Sequence, residues 1–284
     1  MTRPRVIAHR GASRRWPEHS RPAYVQALAD GADGLECDVR LTADGVPVCW
    51  HDASVDRTSD GTGPVREHTL DQLRRLDVLG GARPPSGGSW DGPAVLSLAE
   101  LVGLAIGAGR PVTLAIELKH PVPYGWAAED AVLQVLDDAG WRPGARSPLT
   151  VSLMSFHPGS LLRLHRSVPA EHLMPLIDAG TPQDLAAEIA DLPAGEVMAL
   201  VAQSGALADA AAVGGVGPSL RFLRENPERV ERWRAHGLTL RVWTVDEPDD
   251  LALCVAAGAS EITTNVPSLM LSALAGQPGW AAGR

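Results

Sequence analysis

Apolar positions along this chain follow two alternating periods. Short runs of closely spaced apolar residues read as strands: VIAHR (6–10), GLECDV (34–39), VPVCWH (46–51), PVTLAIELK (111–119), LTVSLMS (149–155), HLMPLI (172–177), EVMALVA (196–202), LTLRVWTV (238–245) and SEITTN (260–265). Between them, helical spacing marks 20–30, 69–76, 97–107, 125–140, 158–167, 182–192, 218–237 and 248–257. Ser20 and Pro22 fit an N-cap and an early helix proline. Asp44-Gly45 turns the second run into the third, and Gly-rich GGVGP (214–218) reads as a turn. Strand–helix alternation implies parallel strands joined by crossover helices. About eight strands in 284 residues favour a closed (β/α)8 barrel, read as one domain over 1–284. The stretch 53–96, most loop-like at GGARPPSGGSWDGP (80–93), interrupts the alternation and is expected to be an excursion near one barrel mouth. The Gly/Pro/Ala-rich tail from about 275 is expected to be loose.

The strand period places chemistry on one face. Residues two apart in a strand share a face, so Glu36 and Asp38 project together while Cys37 points to the helix layer. Glu117 and Lys119 share a face in the same way. His9 and His51 stand where apolar runs give way to polar loops. Ionisable residues thus fall near the C-terminal ends of four consecutive strand candidates, the end of such a barrel where catalysis is housed. Carboxylates gathered in an apolar frame need a partner. Three of them with room for water suit a hard divalent ion, Mg2+ or Ca2+, better than zinc. Arg10 and Lys119 add positive charge for an anionic group, and two histidines can divide acid and base roles. This inventory fits phosphodiester cleavage. The duller alternative is a buried ion-pair network, with Arg10 or Lys119 as partner and Trp243 as ordinary core.

Composition sharpens the reading in two places. A net charge of −9 argues against nucleic acid as partner, and no apolar run is long enough for a membrane helix. The apolar stretch at the N-terminus is too short for a signal peptide, so a cytoplasmic location is expected. The three cysteines, Cys37, Cys49 and Cys254, have no CxxC spacing and read as reduced core residues. Of the 25 lysines and arginines only Lys119 is lysine, which is either chance survival of one lysine or a position where a compact point charge is wanted. His19, His68, His120, His157, His165, His172 and His236 receive no role.

The motifs resemble the glycerophosphodiester phosphodiesterase family. His9-Arg10-Gly11-Ala12 with Pro17-Glu18-His19-Ser20 is similar to its HRG…PEN(T/S) opening. Glu36-Cys37-Asp38-Val39, Thr42-Ala43-Asp44-Gly45 and His51-Asp52 are similar to its E-x-D-V…T-x-D-G…HD block. Arg57-Thr58, Thr69-Leu70, Leu73 and Leu96-Ser97-Leu98 follow its middle segment, and Glu117-Leu118-Lys119 its E-(I/L)-K strand. Val242-Trp243-Thr244-Val245 and Ile262-Thr263-Thr264-Asn265-Val266-Pro267 resemble its closing motifs. Two departures stand out: His19 replaces the usual asparagine, and Asn265 stands where aspartate is frequent.

The resemblance implies a TIM barrel with a small insertion between the third and fourth strands. It implies Glu36, Asp38 and Glu117 as ligands of one divalent cation, and His9 and His51 as the acid–base pair. Arg10 and Lys119 would bind phosphate, and Trp243 would line the alcohol or glycerol side. The implied reaction is metal-dependent hydrolysis of small-molecule glycerophosphodiesters to glycerol 3-phosphate and an alcohol. The alternatives are a lysophospholipase D- or sphingomyelinase D-like enzyme acting on lipid and a non-catalytic phosphoester-binding barrel. A metal-dependent amidohydrolase wants HxH on its first strand, where this chain has His9-Arg10-Gly11.

Overall fold

A computed structural model describes residues 3–82, 92–120, 125–181, 185 and 193–276. Eight parallel strands close a barrel: β1 (Arg5–Ala8), β2 (Gly34–Leu41), β4 (Val112–Leu118), β5 (Leu149–Ser155), β6 (Leu173–Ile177), β7 (Gly215–Pro218), β8 (Thr239–Val242) and β9 (Glu261–Thr264). The β1–β2 pairing, with Ile7 opposite Gly34, completes the ring that β1–β9 begins. The remaining strand, β3 (Pro47–Cys49), is antiparallel to β2 and lies outside the ring.

Crossover helices surround the strands: α1 (Arg21–Ala29), α3 (Leu98–Ile106), α4 (Ala127–Asp138), α5 (Pro158–Leu164), α6 (Ala194–Asp209), α7 (Leu220–Glu225), α8 (Pro227–Ala235), α9 (Pro248–Ala256) and α10 (Pro267–Ala275). A one-turn α2 (Leu70–Leu73) sits in the excursion, started by a capping box of Thr69 and Gln72. The expected N-cap is present: the Ser20 hydroxyl accepts from the Ala23 amide. No helix among the described residues is long and apolar enough to cross a membrane.

Period-two alternation sorts the side chains. Leu35, Cys37, Val39, Leu114, Ile116 and Leu118 point outward into the main core between strands and helices. Inside the ring, Ile7, Ala115, Met154, Phe156, Met174 and Leu176 form a second cluster. A third, built on Val48, Trp50, Val55, Val65, Leu73 and Val95, holds the excursion against β3. At the start of β9, Glu261 pairs with buried Arg241 and with Arg5, and Arg241 also donates to Ser152 Oγ at 2.7 Å. Charges at that end are thereby paired within the barrel.

Several expectations are corrected. EVMALVA belongs to α6, where Val197, Ser204 and Ala208 are buried at helical spacing; a short apolar run does not separate strand from helix by itself. The seventh barrel strand is instead the Gly-rich stretch read as a turn. A Cβ on Gly217 would come within 2.6 Å of the Leu176 side-chain tip, and one on Gly215 within 2.5 Å of the Met174 tip and 3.0 Å of the Thr239 carbonyl oxygen, so the glycines let neighbouring strands and side chains approach closely. The helix expected over 218–237 is two, α7 and α8, divided at Asn226–Pro227. The third apolar run is the return arm of a hairpin, and the excursion lies, as expected, between the third and fourth strands in chain order, β3 and β4. Apart from Leu185, the helix expected at 182–192 lies outside the described residues, as do the tail beyond Gly276 and most of the loop-like stretch at 80–93. All three cysteines are buried and free, as the sequence suggests.

Candidate active site

The β2–β4 register builds the acidic cluster. Asp38 stands opposite Glu117 in the parallel pair, and Glu36 precedes Asp38 on the same inward face. One oxygen each from Glu36, Asp38 and Glu117 fall within 4.8 Å of one another, and all three residues are buried. Lys119 Nζ lies 2.7 Å from Glu117 and 3.1 Å from Asp38, with only 1% of its side chain exposed. That burial explains the lone lysine: a compact ammonium reaches two carboxylates where a planar guanidinium would need more room.

β1 delivers the opposing groups. After Ala8 the chain turns sharply, with Arg10 at φ 57° and Gly11 at φ 87°. A Cβ on Gly11 would sit 2.6 Å from the Ala23 carbonyl carbon, so the turn packs directly on α1. The turn aims the Arg10 amide at Glu36 Oε2 (3.0 Å), while its side chain pairs with Asp38 at 3.0 Å and Glu18 at 3.1 Å. Backbone held in the left-handed region at a non-glycine residue is a frequent mark of a functional site.

Electrostatics divide the carboxylates. Burial pushes Asp38 up, but Lys119 and Arg10 outweigh it and hold Asp38 well below the usual range. Glu36 is raised well above its ordinary value, by burial first and by the Asp38 carboxylate next. Two cations among three carboxylates leave a deficit of positive charge, and Glu36 registers it. A hard divalent cation fits that donor set and that deficit.

The two histidines differ in support. His9 Nδ1 lies 2.9 Å from the Asn265 side-chain oxygen, a neutral partner, and burial together with Arg10 lowers its pKa to about 4. His51 Nδ1 lies 2.7 Å from Asp52, an anionic partner. The hydrogen bonds from His51 and Arg57 keep Asp52 below the usual carboxylate range. Arg57 forks onto Asp52 (2.6 and 2.9 Å) and Glu18 (3.1 and 2.7 Å). Arg57 and Arg10 in turn outweigh the burial of Glu18 and bring it to about 2.

A cleft of about 510 Å³ is lined by His9, Arg10, Glu36, Glu117, Met154, Phe156, Leu176 and Trp243. Trp243 stands edge-on to Phe156 with ring centroids 5.6 Å apart, and its indole N–H donates to the Gly217 carbonyl at 2.7 Å. Asp38 and Lys119 bond to this set from its buried side. His51 lines an adjoining crevice of about 300 Å³ with Glu18, His19 and Thr58, close enough to lower the Asp38 pKa by its charge. It reaches the mouth because the hairpin folds back beside β2: the Trp50 amide donates to the Asp38 carbonyl. Four strands running the same way are therefore not the reason; three barrel strands and one returning arm are.

Three contributors were not read from the sequence. His19 Nε2 lies 2.8 Å from Asp38 Oδ2 and its Nδ1 2.8 Å from the Tyr24 hydroxyl, so it braces a candidate ligand. Its place in Pro17-Glu18-His19-Ser20 was the available signal. Glu18 with Arg57, and Asp246 behind Asn265, are joined by long-range contacts that no local pattern announces.

Comparison with known proteins identifies the family. The sequence matches the Glycerophosphoryl diester phosphodiesterase family over residues 9–269. A Mycobacterium tuberculosis protein named "Probable glycerophosphodiester phosphodiesterase 1" is 40% identical over 271 residues, covering 93% of this chain and 90% of its own. A Bacillus subtilis glycerophosphodiester phosphodiesterase is 29% identical over 274 residues, covering 93% and 84%. An Oleispira antarctica phosphodiesterase, solved in complex with the product sn-glycerol-3-phosphate, shares the fold at a TM-score of 0.74 and 23% identity, covering 95% and 96%. The chain belongs to the glycerophosphoryl diester phosphodiesterase family, enzymes that hydrolyse phosphoric diesters.

Proposed function

We propose that this chain hydrolyses glycerophosphodiesters to glycerol 3-phosphate and an alcohol, using one divalent cation, Mg2+ or Ca2+, with His9 and His51 as base and acid. The observation that carries the reading is the β2–β4 register, which gathers Glu36, Asp38 and Glu117 beside Arg10 and His9. The names of the full-length relatives supply the substrate class. Glu36, Asp38 and Glu117 would hold the cation, which when bound supplies Lewis-acid charge for a phosphoryl oxygen.

The residues of the chain account for the remaining steps. Arg10 presents positive charge at the cleft, and Lys119 offsets the carboxylates so that an anionic phosphate can enter beside them. His9 Nε2, unprotonated over the neutral range, takes a proton from the attacking oxygen of water or of the substrate's own glycerol hydroxyl; the latter route passes through a cyclic phosphate. His51, backed by Asp52, gives a proton to the departing alkoxide. Trp243 and Phe156 form the apolar wall against the glycerol carbons.

Release of sn-glycerol 3-phosphate from glycerophosphocholine and glycerophosphoethanolamine tests the proposal, with choline release from lysophosphatidylcholine as the lipid arm. His9→Ala and His51→Ala each lower turnover by about 10²–10⁴-fold with the fold intact. Full turnover in both variants would refute the assignment. Hydrolysis confined to the lysolipid would replace the substrate class.

A further inference from the structure

Behind His9 lies a chain of polar groups anchored by a carboxylate. Asp246, just beyond β8, accepts at Oδ1 from the Asn265 amide (2.8 Å) and the Thr264 hydroxyl (3.0 Å). Its Oδ2 stands 2.6 Å from Asn265 Nδ2. On the far side of the Asn265 side chain, Oδ1 lies 2.9 Å from His9 Nδ1 and 2.7 Å from Ser13 Oγ.

The question is which way the carboxamide points, because its two ends differ only in their protons. Ser13 does not decide: its single proton has two acceptors, Asn265 Oδ1 and the His9 carbonyl at 2.8 Å. Asp246 does decide. With the amide reversed, two oxygens would face each other at 2.6 Å without a proton between them. Nδ2 must therefore face Asp246, and Oδ1 must face His9. A carbonyl oxygen only accepts, so the neutral imidazole must carry its proton on Nδ1, and Nε2 is left with the lone pair.

We propose that Asp246 is a positioning residue that fixes the proton of neutral His9 on Nδ1 by orienting the Asn265 amide. This rests on the reading of His9 as the base, because only a lone pair on Nε2 can accept the proton from a nucleophile in the cleft. The negative charge sits one side chain further back, and the amide transmits orientation without placing a charge on the imidazole.

The test is long-range 1H–15N NMR of 15N-histidine protein at pH 8, with the His9 resonance assigned by its loss in His9→Gln. Wild type shows the Nδ1–H tautomer. Asp246→Asn frees the amide to reverse, giving a mixture with Nε2–H. Its kcat falls about 10–100-fold, while KM changes by no more than about twofold, as expected when geometry rather than binding is lost. The exchanged pair Asp246→Asn with Asn265→Asp restores an acceptor at His9 and a donor behind it, so the Nδ1–H tautomer returns and turnover recovers relative to the single variant. An Nε2–H tautomer in wild type, an unmixed Nδ1–H tautomer in Asp246→Asn, or no recovery in the exchanged pair would overturn the proposal. If Asp246→Asn does not fold, wild type and the exchanged pair decide. Undiminished turnover in His9→Gln would instead refute the base assignment and leave the tautomer result standing.

Discussion

Removing Lys119 perturbs the site most sharply. In Lys119→Met the ammonium 2.7 Å from Glu117 and 3.1 Å from Asp38 becomes an apolar chain of similar length. Three buried carboxylates then share Arg10 as the remaining cation in the contacts described above. Breaking a buried ion pair from one side costs about 3–5 kcal/mol, a fall on the order of 10 °C in melting temperature for a domain of this size. The assay is denaturant unfolding in chelator, followed by titration with Mg2+ or Ca2+. The cation should stabilise the variant by about 3 kcal/mol at a hundredfold excess over its dissociation constant. Lys119→Arg should not restore wild-type stability, since a planar fork does not fit a space closed around a point charge. A Lys119→Met protein within about 1 kcal/mol of wild type in chelator, or one unmoved by either cation, would refute this account of the cluster.

Other perturbations have equally definite outcomes. His9, lowered to about 4 from 6.5, favours the fold while neutral. Its contribution, on the order of 3 kcal/mol, is fully present above pH 6.5 and is lost as the pH falls through 6.5 towards 4; unfolding curves across that window check the sign. The acid limb of kcat/KM should accordingly fall near pH 4, and a limb at 6.5 would contradict His9 as the base. Arg57→Ala, which releases both Asp52 and Glu18, should cost about 10–100-fold in turnover and less than about 1 kcal/mol in stability because Arg57 is half exposed; an unchanged kcat would remove it from the site. Gly11→Ala forces a side chain into a left-handed turn against Ala23 and should destabilise by at least about 1–3 kcal/mol; an unshifted melting temperature would contradict the described packing.

What the sequence makes legible follows from how local each signal is. Glu36, Asp38, Glu117 and Lys119 were placed together by strand alternation, which needs only neighbouring residues, and the register of β2 with β4 then brought the two pairs face to face. His51 was placed at the mouth for an incomplete reason: the Asp44-Gly45 turn makes the third run a returning hairpin arm, antiparallel to β2, and not a parallel barrel strand. β7 was hidden because its glycines answer to crowding by Met174 and Leu176, residues far away in the chain. α6 was misread because a short apolar run looks alike in either period. The supports behind the histidines were invisible for the same reason: His9 and Asn265 are 256 positions apart, and only closure of the barrel between β1 and β9 makes them neighbours.

The central claim is that Glu36, Asp38 and Glu117 hold one divalent cation needed for diester hydrolysis. Calorimetric titration of chelator-treated protein with Mg2+ and Ca2+, with sn-glycerol 3-phosphate release followed on the same samples, tests it most directly. The account predicts one ion per chain, turnover restored in proportion to its binding, and loss of both in Glu36→Gln. Full turnover in chelator, or unchanged ion binding in Glu36→Gln, would contradict it.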